Sequence, residues 1–175
     1  MNTTPQEKQW FVLYTRPKFE KKIAEEISLM SYDNYLPLRT IFRKWSDRIK
    51  RVREPLFPNY LFVKISVLEK HKVLSANGVV RFVTFEGRAV PVNEEEITKI
   101  RKIESVDYDI SFEGFHTIGE RVKVIKGAFI GMEGELIRRP KGSRLMIKLP
   151  VLNQAVSVEI PITCVERMPK PVLYE

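Results

Sequence analysis

Apolar residues first gather in a short unbroken run, WFVLY at residues 10–14, which suits a central strand buried on both faces. After Pro17 the period changes. Phe19, Ile23, Ile27 and Met30 recur every three or four residues, with Glu20, Lys21, Lys22, Glu25 and Glu26 on the other face, and predict an amphipathic helix. NYLFVKI at residues 59–65 predicts a second strand. Ser66 and Glu69 stand at capping-box spacing and open a short helix to about Ala76, with Val73 and Leu74 pointing inward. Asn77-Gly78 turns the chain into VVRFVTF at residues 79–85, a third strand. Asn93, with Glu96 three residues on, starts a last helix whose buried stripe is Ile97, Ile100 and Ile103. Its three leading glutamates and trailing Lys99, Arg101 and Lys102 match the helix dipole. This order describes a compact α+β sandwich, helices against a small, mainly antiparallel sheet.

Residues 105–116 (SVDYDISFEGFH) are acidic and without period, and read as a linker. Beyond them the period is two, in Val122/Val124, Leu145/Ile147/Leu149 and Val156/Val158/Ile160, with Ser157 and Glu159 expected to face out. Turn signals at Lys126-Gly127, residues 140–143, Pro150 and Pro161 separate these segments and predict a small all-β barrel. Gly127, Gly131 and Gly134 match neither a dinucleotide fingerprint nor a Walker loop, and read as positive-φ positions in a tight loop. The expected domains are thus 1–104, a linker at 105–116, and 117–175.

Charge sharpens this division. Residues 1–104 carry a net charge of +7, against +1 for the rest. Residues 39–53 (RTIFRKWSDRIKRVR) hold seven cations and only Asp47 as anion. A solvated basic loop is one reading. The other is a phosphate-facing element, since counterion release rewards contact between dense positive charge and a polyanion. Trp45, with Phe42 nearby, adds flat surface for a base or sugar. One cysteine, Cys164, excludes an internal disulfide framework and a cysteine zinc site, and its strand-rich, apolar context suggests a buried thiol. With two histidines, no paired carboxylates and no nucleophile beside a base, enzymatic chemistry is the weakest reading, and no metal or cofactor is expected. No run is long and apolar enough for a membrane span, and the first residues lack a secretory core, so a cytoplasmic chain is expected.

Valine alternation followed by Gly-x-Phe-x-Gly-x-x-Gly, from Val122 to Leu136, resembles a KOW domain of SH3-like barrel type. The opening Trp-aromatic-x-Leu-Tyr strand, the helix after it, EPLFPNYLFV at residues 54–63 and GVVRFV at residues 78–83 resemble the NGN domain of the NusG family. EPLFPNYLFV is similar to the specialised RfaH branch, and RKWSDRIKRV before it to the UpxY-type antiterminators of polysaccharide operons. The resemblance implies a monomeric transcription elongation factor. Its NGN domain would dock on the clamp helices of RNA polymerase and contact non-template DNA, suppressing pausing and termination. Its KOW domain would recruit ribosomal protein S10 or termination factor Rho.

By resemblance the polymerase-docking residues are Tyr60, Phe62, Phe85, Ile97 and Ile100, although all five also fit a hydrophobic core. Nucleic-acid contacts would come from Arg16, Lys18 and Lys22 at the start of the first helix, joined by Arg43, Lys44, Trp45, Arg48, Lys50 and Arg51. Pro17 and Glu26 depart from the RfaH pattern, so its sequence preference does not carry over. A gate-loop contact would fall at residues 69–71, where the RfaH triplet is absent. Phe129, Ile130 and Met132 stand where the KOW domain presents apolar groups to a partner, or tuck into the barrel. The β-branched strands and glycines predict a β-structured rather than helical C-terminal domain. The alternatives are a general NusG-type factor assisting Rho, and a ribosome- or RNA-binding protein that shares only the KOW barrel.

Overall fold

The computed structural model describes residues 7–106, 109–140 and 142–169. Contacts divide the chain into two units, Met1–Ile100 and Arg101–Glu175.

In the first unit a four-stranded antiparallel sheet runs in the order β2 (Asp33–Tyr35), β5 (Tyr60–Ile65), β1 (Gln9–Thr15), β6 (Val79–Phe82). β1 is central, which explains its unbroken apolar run, since alternate residues enter two different layers. Phe11 and Leu13, paired with Val63 and Leu61, face a core made with Ile23 and Ile27 of α1 (Glu20–Leu29), Val73 of α2 (Lys70–Leu74), Ala76 and Phe82. Trp10, Val12 and Tyr14 point the other way, opposite Lys64, Phe62 and Tyr60. On that side Trp10 Nε1 donates to Glu94 Oε2 at 2.8 Å, fixing the first residue of α3 (Glu94–Glu104).

Two ribbons stand outside the sheet. β3 (Leu38–Lys44) and β4 (Ile49–Pro55) form a long hairpin, and β7 (Thr84–Phe85) and β8 (Arg88–Ala89) a short one. The strand expected over residues 79–85 therefore breaks after Phe82. Glu86 and Gly87, both at positive φ, make the two-residue turn that folds Thr84 and Phe85 onto β8. β2 was not signalled by periodicity, because it is three residues long and polar. The Ser66–Glu69 capping box is present, but Leu74 is exposed and only Val73 points inward.

The second unit is a six-stranded antiparallel sheet: β14 (Val165–Arg167), β10 (Glu120–Val124), β11 (Glu133–Arg139), β12 (Gly142–Leu149), β13 (Gln154–Glu159) and β9 (Ile110–Glu113), in that order. The period-two apolar residues are buried as expected, and Ile137, Met146 and Ala155 make a further buried cluster. Two expectations are corrected here. The segment read as a linker contains β9, whose register places Ser111 opposite Ser157. Ser157, expected to face out, is fully buried. Its hydroxyl donates to Glu113 Oε1 at 2.7 Å and accepts from Arg144 Nε at 2.8 Å, while Arg139 pairs with the other Glu113 oxygen. β9 is thus held by buried polar bonds, which leave no hydrophobic alternation to read. Gly134 differs from Gly127 and Gly131, which do take positive φ. It lies within β11, where a Cβ would stand 2.7 Å from the Met146 carbonyl oxygen. Cys164 is partly exposed rather than buried. The expected domain ends at residues 1–6 and 170–175, and linker residues 107–108, lie outside the described residues.

Candidate nucleic-acid and docking surfaces

Arg16, Lys18 and Lys22 are all exposed around the start of α1. The loop bearing them is held from three sides. Thr15 N–H donates to the Asn59 carbonyl and Arg16 N–H to the Gly78 carbonyl, each at 2.8 Å, and the buried Glu20 carboxylate accepts from Asn59 N–H at 2.8 Å. Lys18 sits at φ 67°, a left-handed conformation that turns the chain into the helix and that a side chain adopts at some strain. The backbone is therefore fixed by internal bonds while the cationic heads stay in solvent. Lys22 lies over the Phe19 ring, 5.9 Å from its centroid.

The hairpin joins this region through Lys21, whose ammonium donates to the Arg53 carbonyl at 2.9 Å. Arg43, Lys44, Trp45, Arg48, Lys50 and Arg51 are all exposed, but strand pairing sorts them onto two faces. One face carries Arg39, Ile41, Arg43 and, at the tip, Trp45, opposite Glu54, Val52 and Lys50. Here Glu54 accepts from Arg39 at 2.7 Å and from Arg43 at 3.1 Å, and the Lys50 ammonium lies 5.7 Å from the Trp45 ring centroid. Partial burial pulls the Glu54 carboxyl upward, yet the hydrogen bonds and charges of Arg39 and Arg43 outweigh it and hold the group below its ordinary value. The other face carries Thr40, Phe42 and Lys44 opposite Arg53, Arg51 and Ile49. Reading the sequence as a single basic run missed this division and missed Glu54 as its counter-charge. Counting alternate residues back from the turn would have found both.

The docking residues named from resemblance do not form one exposed set. Phe85 is 70% exposed on its ribbon, and Tyr60 is half-buried with its ring edge-on to Tyr14 at 5.6 Å. Phe62, Ile97 and Ile100 are fully buried. Phe62 lies in β5 between β1 and β2, opposite Val12 and 6.1 Å from the Tyr35 ring, so its strand leaves it no open side. Ile97 and Ile100 belong with Ile103 to the wholly buried stripe of α3. In the β10–β11 turn the result is similar. Phe129 and Met132 are buried, and only Ile130 is exposed. The bonds Ile130 N–H to Gly127 and Met132 N–H to Phe129 close a tight turn that leaves Ile130 outside.

At residues 69–71 two of the three side chains are committed locally. Glu69 accepts from the Ser66 amide and hydroxyl, bonds that hold its carboxyl below the ordinary value. Lys70 lies 4.3 Å from the Phe11 ring centroid, and burial lowers its ammonium. His71 is exposed. Beside them Val67, Lys70, Leu74, Arg81, Phe82 and Arg88 line an open cavity of about 680 Å³.

The chain thus consists of a mixed α and β unit, whose β3–β4 hairpin displays cations and rings, followed by an all-β unit. The family model described as transcription termination factor nusG matches residues 8–101, more than half of the chain. The chain belongs to the NusG family of transcription factors, which are not enzymes. It is 27% identical to the transcription termination/antitermination protein NusG of Lactococcus lactis, over 90% of this chain and 91% of that protein. The NusG of Streptococcus pyogenes serotype M3 is 29% identical, over 88% and 94%. A solved structure concerning domain interaction in Thermotoga maritima NusG shares the fold, with a TM-score of 0.58 and 22% identity, covering 95% of this chain and all of that one. Among the described residues no helix is long and apolar enough to cross a membrane.

Proposed function

We propose that this protein is an operon-specialised antitermination factor that rides on RNA polymerase, of the kind serving polysaccharide operons. Its first unit docks on the clamp helices, with Phe85 and Tyr60 at the contact. Arg16, Lys18 and Lys22 meet the displaced non-template strand, and the hairpin adds further nucleic-acid contacts. Its second unit, a KOW domain, offers Ile130 to S10 or Rho. The observation that carries this reading is the exposed cationic loop at α1, braced through Asn59, Gly78 and Glu20, within a NusG-family unit. A scaffold that fixes the backbone and leaves three cations unburied suits a phosphate chain better than a folded core. A general NusG role in termination is the second reading, favoured by relatives named for both termination and antitermination.

The test is binding to purified core RNA polymerase, followed by transcription through a terminator. Wild-type protein is expected to bind and raise read-through. Phe85→Asp is expected to weaken binding at least tenfold, since docking residues at the centre of an interface carry about 2 kcal/mol or more. Absence of wild-type binding overturns the polymerase mechanism. Binding with increased Rho-dependent termination favours the general factor.

A further inference from the structure

The β3–β4 hairpin has two unlike faces, and the difference assigns them different work. On the Trp45 face each cation or ring has an internal partner: Glu54 holds Arg39 and Arg43, and the Lys50 ammonium lies 5.7 Å from the centroid of the Trp45 ring, which is 53% exposed. On the opposite face Phe42 is 69% and Ile49 70% exposed. Phe42 pairs across the hairpin with Arg51, and Lys44 with Ile49, so ring, cation, aliphatic and cation alternate over one small patch. Neither Lys44 nor Arg51 has an ion pair, and Phe42 has no ring partner, among the described residues. No carboxylate of the hairpin strands lies on this face.

We infer that the Phe42–Arg51–Lys44–Ile49 face binds single-stranded nucleic acid, with an unstacked base against Phe42 and backbone phosphates on Arg51 and Lys44. This deepens the nucleic-acid reading of the hairpin given above. A duplex hides the faces of its bases and would use only the two cations, leaving Phe42 and Ile49 in water. A single strand uses both, because every base has a π-face and stacking tolerates any sequence. A protein partner would need a carboxylate-bearing apolar surface. The flat ring beside two cations at strand spacing matches the alternation of base and phosphate more closely.

The test is fluorescence anisotropy of the full chain with labelled oligo-dT of about 15 nucleotides, a length suited to one such binding site, and with the same length of duplex. The single strand is expected to bind at least fivefold more tightly. Phe42→Ala should weaken it by about 5- to 150-fold, the range for loss of one stacked base, and Phe42→Tyr should retain binding. Lys44→Ala and Arg51→Ala should each flatten the log–log salt dependence by about 0.7. Arg43→Ala and Trp45→Ala should each weaken single-strand affinity less than Phe42→Ala does. The inference is overturned if the duplex binds equally well, if Phe42→Ala has no effect, if Trp45→Ala carries the loss, or if no oligonucleotide binds. Polymerase is absent from this experiment, so failure here leaves the docking reading standing, and failure to bind polymerase leaves this one standing.

Discussion

Gly78 is where the fold and the cationic loop are joined most tightly, and replacing it with alanine separates two costs. Its φ is +105°, outside the range an L-residue adopts without strain. A Cβ there would stand 2.6 Å from Cδ1 of Phe19 and 3.1 Å from its Cβ and Cγ. Backbone strain of about 1–2 kcal/mol adds to overpacking of about 1–3 kcal/mol. The reduced freedom of the unfolded chain returns about 0.4–1 kcal/mol. Gly78→Ala should therefore destabilise the first unit by about 1–5 kcal/mol. Gly87 supplies the control, since its φ is +78° but a Cβ would meet nothing within 4 Å. Gly87→Ala should cost the backbone part alone, about 1 kcal/mol. Both tryptophans, Trp10 and Trp45, lie in the first unit, and Trp10 is buried, so tryptophan fluorescence in urea follows that unit. With a slope of about 1–3 kcal/mol per molar urea, the two midpoints should differ by about 1 M. Equal midpoints would refute the reasoning, because they would mean that Phe19 moves aside freely. Since Arg16 N–H donates to the Gly78 carbonyl, the same substitution should loosen the loop that carries Arg16 and Lys18.

Three further outcomes follow from contacts already described. Glu54→Gln should lower stability at neutral pH by about 1 kcal/mol, the upper range for a partly exposed ion pair. The folded carboxyl lies below its ordinary 4.5, so its contribution is present above that value and is lost as pH falls through the folded value. The difference between wild type and variant should accordingly shrink below pH 4.5 in urea titrations, and a constant difference would remove the guanidinium explanation. Ser157→Ala should remove the hydroxyl's bonds to Glu113 and Arg144, cost about 1–3 kcal/mol, and speed amide exchange in β9 more than in β11, which hydrogen exchange can resolve. Phe62→Ala should lower the urea midpoint of the first unit through a loss of about 3–5 kcal/mol, because the ring is wholly buried; a variant of unchanged stability would return Phe62 to the surface.

How much of this was legible beforehand depends on what kind of signal each element leaves. β1, α1, β5 and α3 are long and apolar on a regular period, because each lays its buried residues against a core. The short elements leave no such trace. β2 is polar and held by its edge position, β9 by the Ser157–Glu113–Arg144 bonds, and the β7–β8 ribbon by a Glu86-Gly87 turn that lacks the usual asparagine or aspartate before glycine. At the candidate surfaces the sequence shows where the cations fall but not which of them are paired. Arg16, Lys18 and Lys22 stand exposed where the helix start places them, whereas Phe62, Ile97 and Ile100 are buried. A hydrophobic residue in a period is equally fit for a core or a partner, so periodicity alone could not separate the two.

The hairpin shows the same ambiguity in charge. Seven cations in 15 residues suggest one basic surface, yet alternation along two paired strands must divide them, and a single glutamate suffices to make the halves unequal. Glu54 lies on the face of Arg39 and Arg43 because it pairs with Arg39 across the strands and lies diagonal to neither Phe42 nor Arg51. Moving it one residue along β4 would place it opposite Thr40, on the Phe42 face. A charge exchange tests this directly. The double variant Arg53→Glu, Glu54→Arg keeps the net charge of the hairpin and moves the carboxylate to the other face. If total charge governs nucleic-acid affinity, the exchange should leave it unchanged. If the face governs, single-strand affinity should fall several-fold while circular dichroism is unaltered. The second result is expected, because an added carboxylate beside Arg51 repels the phosphate that Arg51 would otherwise hold.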